Sequence, residues 1–142
     1  MAGYSGTSLP KKLGIREGSR VALVKAPMGF EVALDPLPDG VRLRTTVRGE
    51  QDVVLFFVTR RSELERRFPV LARNLESAGG LWIAWPKRTA GVATDLTESV
   101  VRSIGLGGGL VDNKVCAVDE IWSGLRFVRR LADRPHRNGD SR

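Results

Sequence analysis

Residues 52–85, DVVLFFVTRRSELERRFPVLARNLESAGGLWIAW, decide how the chain is organised. Two nearly continuous apolar runs bound this stretch, Asp52–Val58 and Leu81–Trp85. Neither alternates with polar residues, which marks strands covered on both faces, as in parallel sheets. Between them Ser62-x-x-Glu65 has the form of a capping box. Leu64, Phe68, Leu71 and Leu75 then recur at helical spacing and make one apolar stripe. Pro69 falls inside that helix and is expected to kink or restart it, and Gly79-Gly80 ends the connection. Strand, helix and parallel strand form a crossover unit, whose hand is right-handed.

On the amino-terminal side, Ser8 is placed to cap a short helix through Leu13, with Gly14 ending it. Arg20–Val24 is a compact apolar strand, and Ala26-Pro27-Met28-Gly29 turns the chain into a short helix over Phe30–Leu34. Val41–Thr46 sets Val41 and Leu43 against Arg42 and Arg44, the alternation of a half-exposed strand. On the carboxyl-terminal side a helix starts near Thr94 or Asp95, turns Leu96, Val100 and Ile104 inward, and stops at Gly105. Leu110–Val118 and Leu125–Leu131 follow as a hairpin joined through Asp119–Gly124. Residues 1–7 and 132–142 are small or polar without apolar periodicity, so they read as a flexible start and a disordered tail around one α/β domain, residues 8–131. The pattern is that of an open, mostly parallel α/β sheet of about six strands, order 2-1-3-4-6-5, closed by an antiparallel hairpin. Such a sheet is similar to a shortened class I methyltransferase domain of Rossmann-like type. Residues 52–85 read like the fourth strand, following helix and fifth strand of that fold, and the hairpin like its closing antiparallel pair. A likeness of fold carries little information about chemistry.

Longer strings resemble a family. Lys12-Leu-Gly-Ile15, Gly80-Leu-Trp-Ile-Ala-Trp-Pro-Lys87, Thr94-Asp-Leu-Thr-Glu98, Gly109-Leu-Val-Asp-Asn-Lys-Val-Cys-Ala-Val-Asp-Glu120 and Trp122-Ser-Gly-Leu-Arg-Phe-Val128 resemble the uncharacterised bacterial family DUF3052. The resemblance runs from Gly3 to Asp133. It implies a single-domain cytoplasmic protein, and it supplies no activity and no catalytic residues.

Composition narrows the classes. The 142 residues are 42% hydrophobic and 27% charged, neither disordered nor fibrous in kind. A chain of this size buries about two thirds of its unfolded surface, enough for a core without disulfides or metals. Val53–Val58 is far too short to cross a bilayer, and residues 1–10 lack the form of a signal peptide. The single cysteine, Cys116, has no internal partner, which points to a reducing cytoplasm. The net charge is +7, with 18 Arg among 23 basic residues. Bases and acids are nevertheless interleaved, as in residues 61–67, RSELERR, so a mixed-charge surface is preferred over a specific nucleic-acid face.

Motifs for catalysis are mostly missing. An S-adenosylmethionine or dinucleotide site needs a Gly-rich turn after the first strand and an acid ending the second. After Val24 the chain has Lys25-Ala-Pro-Met-Gly29, with one glycine, and after Leu43 it has Arg44-Thr-Thr with no acid before Glu50. Gly105-Leu-Gly-Gly-Gly109 leaves a helix and enters a strand, the reverse of a phosphate loop, and reads as a helix stop. His136 is the only histidine and lies in the tail, while Cys116 sits mid-strand, so neither a nucleophile nor a metal site is called for. Asp95 and Glu98 are accounted for by capping, and Asp119 and Glu120 by a turn, although with Trp122 these two form a possible interaction site.

One constellation remains. Ligands of open α/β sheets bind beyond the carboxyl ends of the strands. The expected strand ends bring Lys25, then Thr59, Arg60 and Arg61, then Lys87, Arg88 and Thr89 to one edge, with Thr94 at a helix start beside them. These residues form a candidate anion site, with Trp85 and Phe30 available to cover an apolar part of a ligand, although a solvated basic rim explains the charges as well. The reading that follows is a non-catalytic domain binding an anionic small molecule or a protein partner, with no cofactor, metal or membrane contact. Its alternatives are a diverged methyltransferase-like enzyme and weak nucleic-acid binding through the Arg-rich surface.

Overall fold

The computed structural model describes residues 7–134. Six strands, β1 (Arg20–Val24), β2 (Arg42–Arg44), β3 (Gln51–Phe57), β4 (Leu75–Pro86), β5 (Val111–Ala117) and β6 (Trp122–Val128), form one sheet in the order β2-β1-β3-β4-β6-β5. β1 to β4 are parallel to one another, and β6 runs antiparallel to both β4 and β5. This is the strand order, and the antiparallel hairpin, expected from the sequence. Of the segments read as flexible, only Thr7 and residues 132–134 are described, and Leu131–Asp133 form a 3-10 turn.

Alternation along each strand divides the core between the two faces of the sheet. One face packs Val54, Phe56, Leu81 and Ile83 under two helices, α2 (Arg61–Arg73) and α3 (Glu98–Gly107). The other packs Val53, Leu55, Phe57 and Trp82 under α1 (Leu9–Leu13) and a 3-10 turn at Phe30–Leu34. The apolar runs of β3 and β4 are therefore covered twice, which is why they carry no polar alternation. Ser8 caps α1 through the Lys11 N–H, and Gly14 ends it in the left-handed region at φ 85°.

Several boundaries differ from the reading, each for a local reason. The Ser62 capping box does not form, because α2 begins at Arg61 after Arg60, which makes no side-chain cap. Asp95, from the loop before α3, accepts the Arg61 N–H at 2.7 Å instead. Asp95 thus caps a helix 34 residues away rather than its own. Asp95→Ala should cost about 1 kcal/mol in urea denaturation, the usual loss of an N-terminal cap. A change below a few tenths would show that water replaces the carboxylate without penalty. Pro69 lies within an unbroken α2, its ring on the exposed side.

Leu75 leaves the helix stripe and opens β4, where it pairs with Gln51. The next pairing is Val53 with Gly80, so residues 76–79 bulge out of the ladder. The bulge folds over Asp52 because residue 79 is glycine: a Cβ there would sit 2.7 Å from the Asp52 carbonyl oxygen. α3 is capped by Thr97, which accepts the Val100 N–H at 3.2 Å, and it continues past Gly105 to Gly107. Gly105 is not a stop. A Cβ there would lie 2.0 Å from the Phe127 ring, so this glycine lets α3 approach β6. The turn itself falls at Gly109, φ +92°. The hairpin is tighter than expected, since Asp119 Oδ1 accepts the N–H groups of Ile121 and Trp122, both at 2.8 Å.

Candidate functional site

The crevice beside β1 is where the strand order reverses, since β2 lies on one side of β1 and β3 on the other. In open α/β sheets this position takes the ligand. Here the carboxyl end of β1 turns at Lys25, whose φ of 60° is left-handed for a residue with a side chain. Its Nζ reaches Glu63 Oε2 on α2 at 3.1 Å, so an ion pair bridges the crevice. The element after the turn is a five-residue 3-10 helix, with no long helix start to face a phosphate. β2 ends at Arg44 with an exposed edge, and the chain after it has no acid before Glu50.

Open space lies one and two strands further on. Thr59, Arg60, Ser62, Thr94 and Asp95 line a shallow groove of about 400 Å³ between the ends of β3 and β4. Thr94 Oγ1 donates to the Thr59 carbonyl oxygen at 2.6 Å and accepts the Leu96 N–H at 3.1 Å, fixing the wall between this groove and the next. On its far side a groove of about 420 Å³ is lined by Trp85, Pro86, Lys87, Arg88, Val92, Thr97 and Ser123. Glu98 also borders it, but Arg102 Nη2 holds that carboxylate at 2.8 Å. Lys87 is anchored by its backbone, because its N–H donates to the Ile121 carbonyl oxygen at 2.7 Å. Among the described residues neither Lys87 nor Arg88 has an ion pair. The groove therefore has two free cations, hydroxyls and one apolar wall.

Eight residues were expected along this edge, and the structure divides them. Thr59, Arg60 and Thr94 meet in the first groove, and Lys87, Arg88 and Thr94 in the second. Lys25 is held by Glu63, and Arg61 by Glu65 at 3.0 Å, while Thr89 is exposed on the 3-10 turn Arg88–Ala90. Phe30 and Trp85 lie on opposite faces of the sheet, so they cannot close over one ligand. Phe30 instead meets Phe57 edge-on at 4.9 Å.

The hairpin residues reach the same edge. Trp122 pairs in register with Pro86 and packs edge-on against Phe57 at 5.0 Å. Asp119 is occupied by the turn, and Glu120 is exposed. Ser123 and Val92 line the larger groove and were not singled out from the sequence. No motif marks them, because the hairpin brings Ser123 opposite Trp85 by register alone.

Burial pushes the Cys116 thiol above its ordinary range, with Lys12 and Lys114 pulling weakly the other way. Such a thiol is a poor nucleophile. Among the described residues no three of His, Cys, Asp and Glu are grouped to hold a metal ion. His136 lies outside the described residues. Among them, too, no helix is long and apolar enough to cross a membrane.

No protein-family model matches the chain, and no curated protein matches it. Solved structures do. The chain is similar to magnesium protoporphyrin IX methyltransferase from Synechocystis PCC 6803, solved with bound S-adenosylhomocysteine, at TM-score 0.56 and 13% identity, over 80% of this chain and 75% of that one. It is similar to an S-adenosylmethionine-dependent methyltransferase from Aquifex aeolicus at TM-score 0.57 and 16% identity, over 82% and 85%. The pyocyanin biosynthetic protein PhzM gives TM-score 0.65 at 11% identity, over 87% of this chain and 53% of that protein. The chain thus has the Rossmann-like fold of S-adenosylmethionine-dependent methyltransferases.

Proposed function

We propose that this chain is a ligand-binding domain on a methyltransferase-like fold, and that it takes an anionic small molecule in the groove beside β4. The observation that carries this reading is the pair Lys87 and Arg88, which make no ion pair among the described residues, on the lip of the groove of about 420 Å³. Phosphate or carboxylate oxygens bind there through charge-assisted hydrogen bonds, and Trp85 and Val92 receive the apolar remainder of the ligand. The domain is non-catalytic in this reading: Lys87 and Arg88 hold the ligand without making or breaking a bond in it. Membership of DUF3052 belongs to the same proposal and adds no activity to it.

A second reading is a diverged methyltransferase-like enzyme. Its support is the fold shared with a protein solved with S-adenosylhomocysteine. Against it stand the Lys25–Glu63 bridge across the crevice beside β1 and the absence of a Gly-rich turn after Val24.

Thermal denaturation with ATP, coenzyme A, NADPH, S-adenosylmethionine, S-adenosylhomocysteine and inorganic phosphate separates them. A ligand at about 100 times its Kd adds roughly 2.7 kcal/mol, a rise of several degrees in Tm. We expect a phosphorylated ligand to give that rise, and the double substitution Lys87→Ala with Arg88→Ala to abolish it. An adenosyl shift that survives the substitution would favour the enzyme. Nucleic-acid affinity that falls slightly and uniformly, with strong salt dependence, would reduce the lip to part of a basic surface. No shift with any ligand would replace the small molecule by a protein partner at the Asp119–Trp122 tip.

A further inference from the structure

The opposite edge of the sheet, at the amino ends of the strands, carries a cleft of about 380 Å³. Arg16 stands on one side of it, the bulge ending at Gly79 on another, and the Arg126 side chain enters it from β6. Arg126 pairs with Trp82 in register and so shares its face, the one covered by α1. From there the guanidinium crosses β4 at Gly80. A Cβ on residue 80 would lie 2.2 Å from Arg126 Nε and 2.7 Å from Cζ, so the side chain has this course only because residue 80 is glycine.

The guanidinium carries five N–H donors in a fixed fork. Among the described residues it makes one hydrogen bond, from Nη1 to Asn113 Oδ1 at 3.4 Å, and no ion pair. It is half-buried, and among the described residues the charges that act on it are Arg134 and Arg16, both positive. Burial and these two neighbours lower its pKa, in that order. Among the described residues none of the carboxylates around the cleft forms an ion pair with Arg126. Both Asp52 oxygens are held by Arg20, at 3.0 and 3.1 Å, and Glu76 accepts the Ala78 N–H and the Ser77 hydroxyl. Glu17 is an exposed residue of the rim. A desolvated cation without a counter-charge is costly, and an oxyanion on the fork removes that cost.

We infer that this cleft is a second ligand site, separate from the groove at Lys87 and Arg88, and that it binds a small oxyanion on Arg126 with Arg16 as the second cation. The group bound is a carboxylate or a phosphate, both of which fit the guanidinium fork.

The test is an amide chemical-shift titration of the full chain at low ionic strength, with inorganic phosphate in one series and acetate in the other. We expect saturable shifts at Gly14, Gly79 and Gly80 in at least one series, and the series that responds identifies the group. Arg126→Gln should weaken that binding by roughly tenfold or more, the loss expected for hydrogen bonds to a charged partner. Arg16→Gln should weaken it by a smaller factor and spares the half-buried position, so it serves if Arg126→Gln does not fold. Shifts confined to residues 87–97, or no saturable shift in either series, would overturn the inference.

Discussion

Gly105→Ala will destabilise the protein by about 2 kcal/mol or more, although alanine is the better helix former by about 1 kcal/mol. Gly105 lies within α3, where an alanine would ordinarily help. Its Cβ, however, would fall 2.0, 2.3 and 2.5 Å from three carbons of the Phe127 ring. That ring is fully buried and held edge-on against Phe68 at 5.5 Å, so it has no free space to enter. Forcing one methylene into a packed core costs about 1–3 kcal/mol, and an overlap this deep belongs at or above the top of that range. The steric term therefore exceeds the propensity gain. Urea denaturation of Gly105→Ala measures the sum, and adding Phe127→Leu should recover part of the loss by shortening the opposing side chain. Equal or higher stability of Gly105→Ala would mean that α3 moves away from β6 at little cost.

Trp82→Ala has the larger effect. Trp82 is completely buried near the middle of β4, and its Nε1 donates to the Leu13 carbonyl oxygen at 3.0 Å. It also lies against Gly124, where a Cβ would be 3.1 Å from the indole. Truncation of a buried Trp or Phe costs about 3–5 kcal/mol, and a buried carbonyl left without a donor costs about 1–3 more. Domains have about 5–15 kcal/mol in all, so this one change removes much of the margin. Trp82→Phe separates the two parts: it keeps most of the apolar volume and loses the donor, so it should cost less than half as much. A loss in Trp82→Phe equal to that of Trp82→Ala would place the main contribution in the tie to α1. Both variants are read by urea denaturation at constant temperature.

The fold was legible because its strongest signals are long-range in consequence and local in sequence. The runs at residues 53–58 and 81–85 carry the mark of doubly covered strands, and handedness then left few strand orders. Helix ends were less legible, since a cap can come from elsewhere in the chain. Ser62 has the right spacing to Glu65, yet Asp95 takes the cap of α2 from across the loop. Glycines were ambiguous for a related reason. Gly105 and Gly109 look alike in sequence, but one admits the Phe127 ring and the other makes the turn at positive φ. Of the candidate site, the edge could be placed from strand order. Which cations are free there could not, because Lys25 and Arg61 are taken by Glu63 and Glu65 on α2. The Arg126 cleft left no trace in the pattern, as it depends on Gly80 lying across the strand pair from a residue 46 positions later.

The proposed ligand site lies beside β4, while the Lys25–Glu63 ion pair bridges the crevice beside β1. Amide shift mapping of the full chain, with ATP in one titration and S-adenosylhomocysteine in another, tests this placement most directly. We expect ATP to perturb Lys87, Arg88, Thr94 and Thr97, and S-adenosylhomocysteine to leave residues 25–29 unchanged. Saturable shifts at Lys25, Ala26, Met28 and Gly29 with S-adenosylhomocysteine would contradict it, because the Lys25–Glu63 bridge would then be a gate rather than a closure.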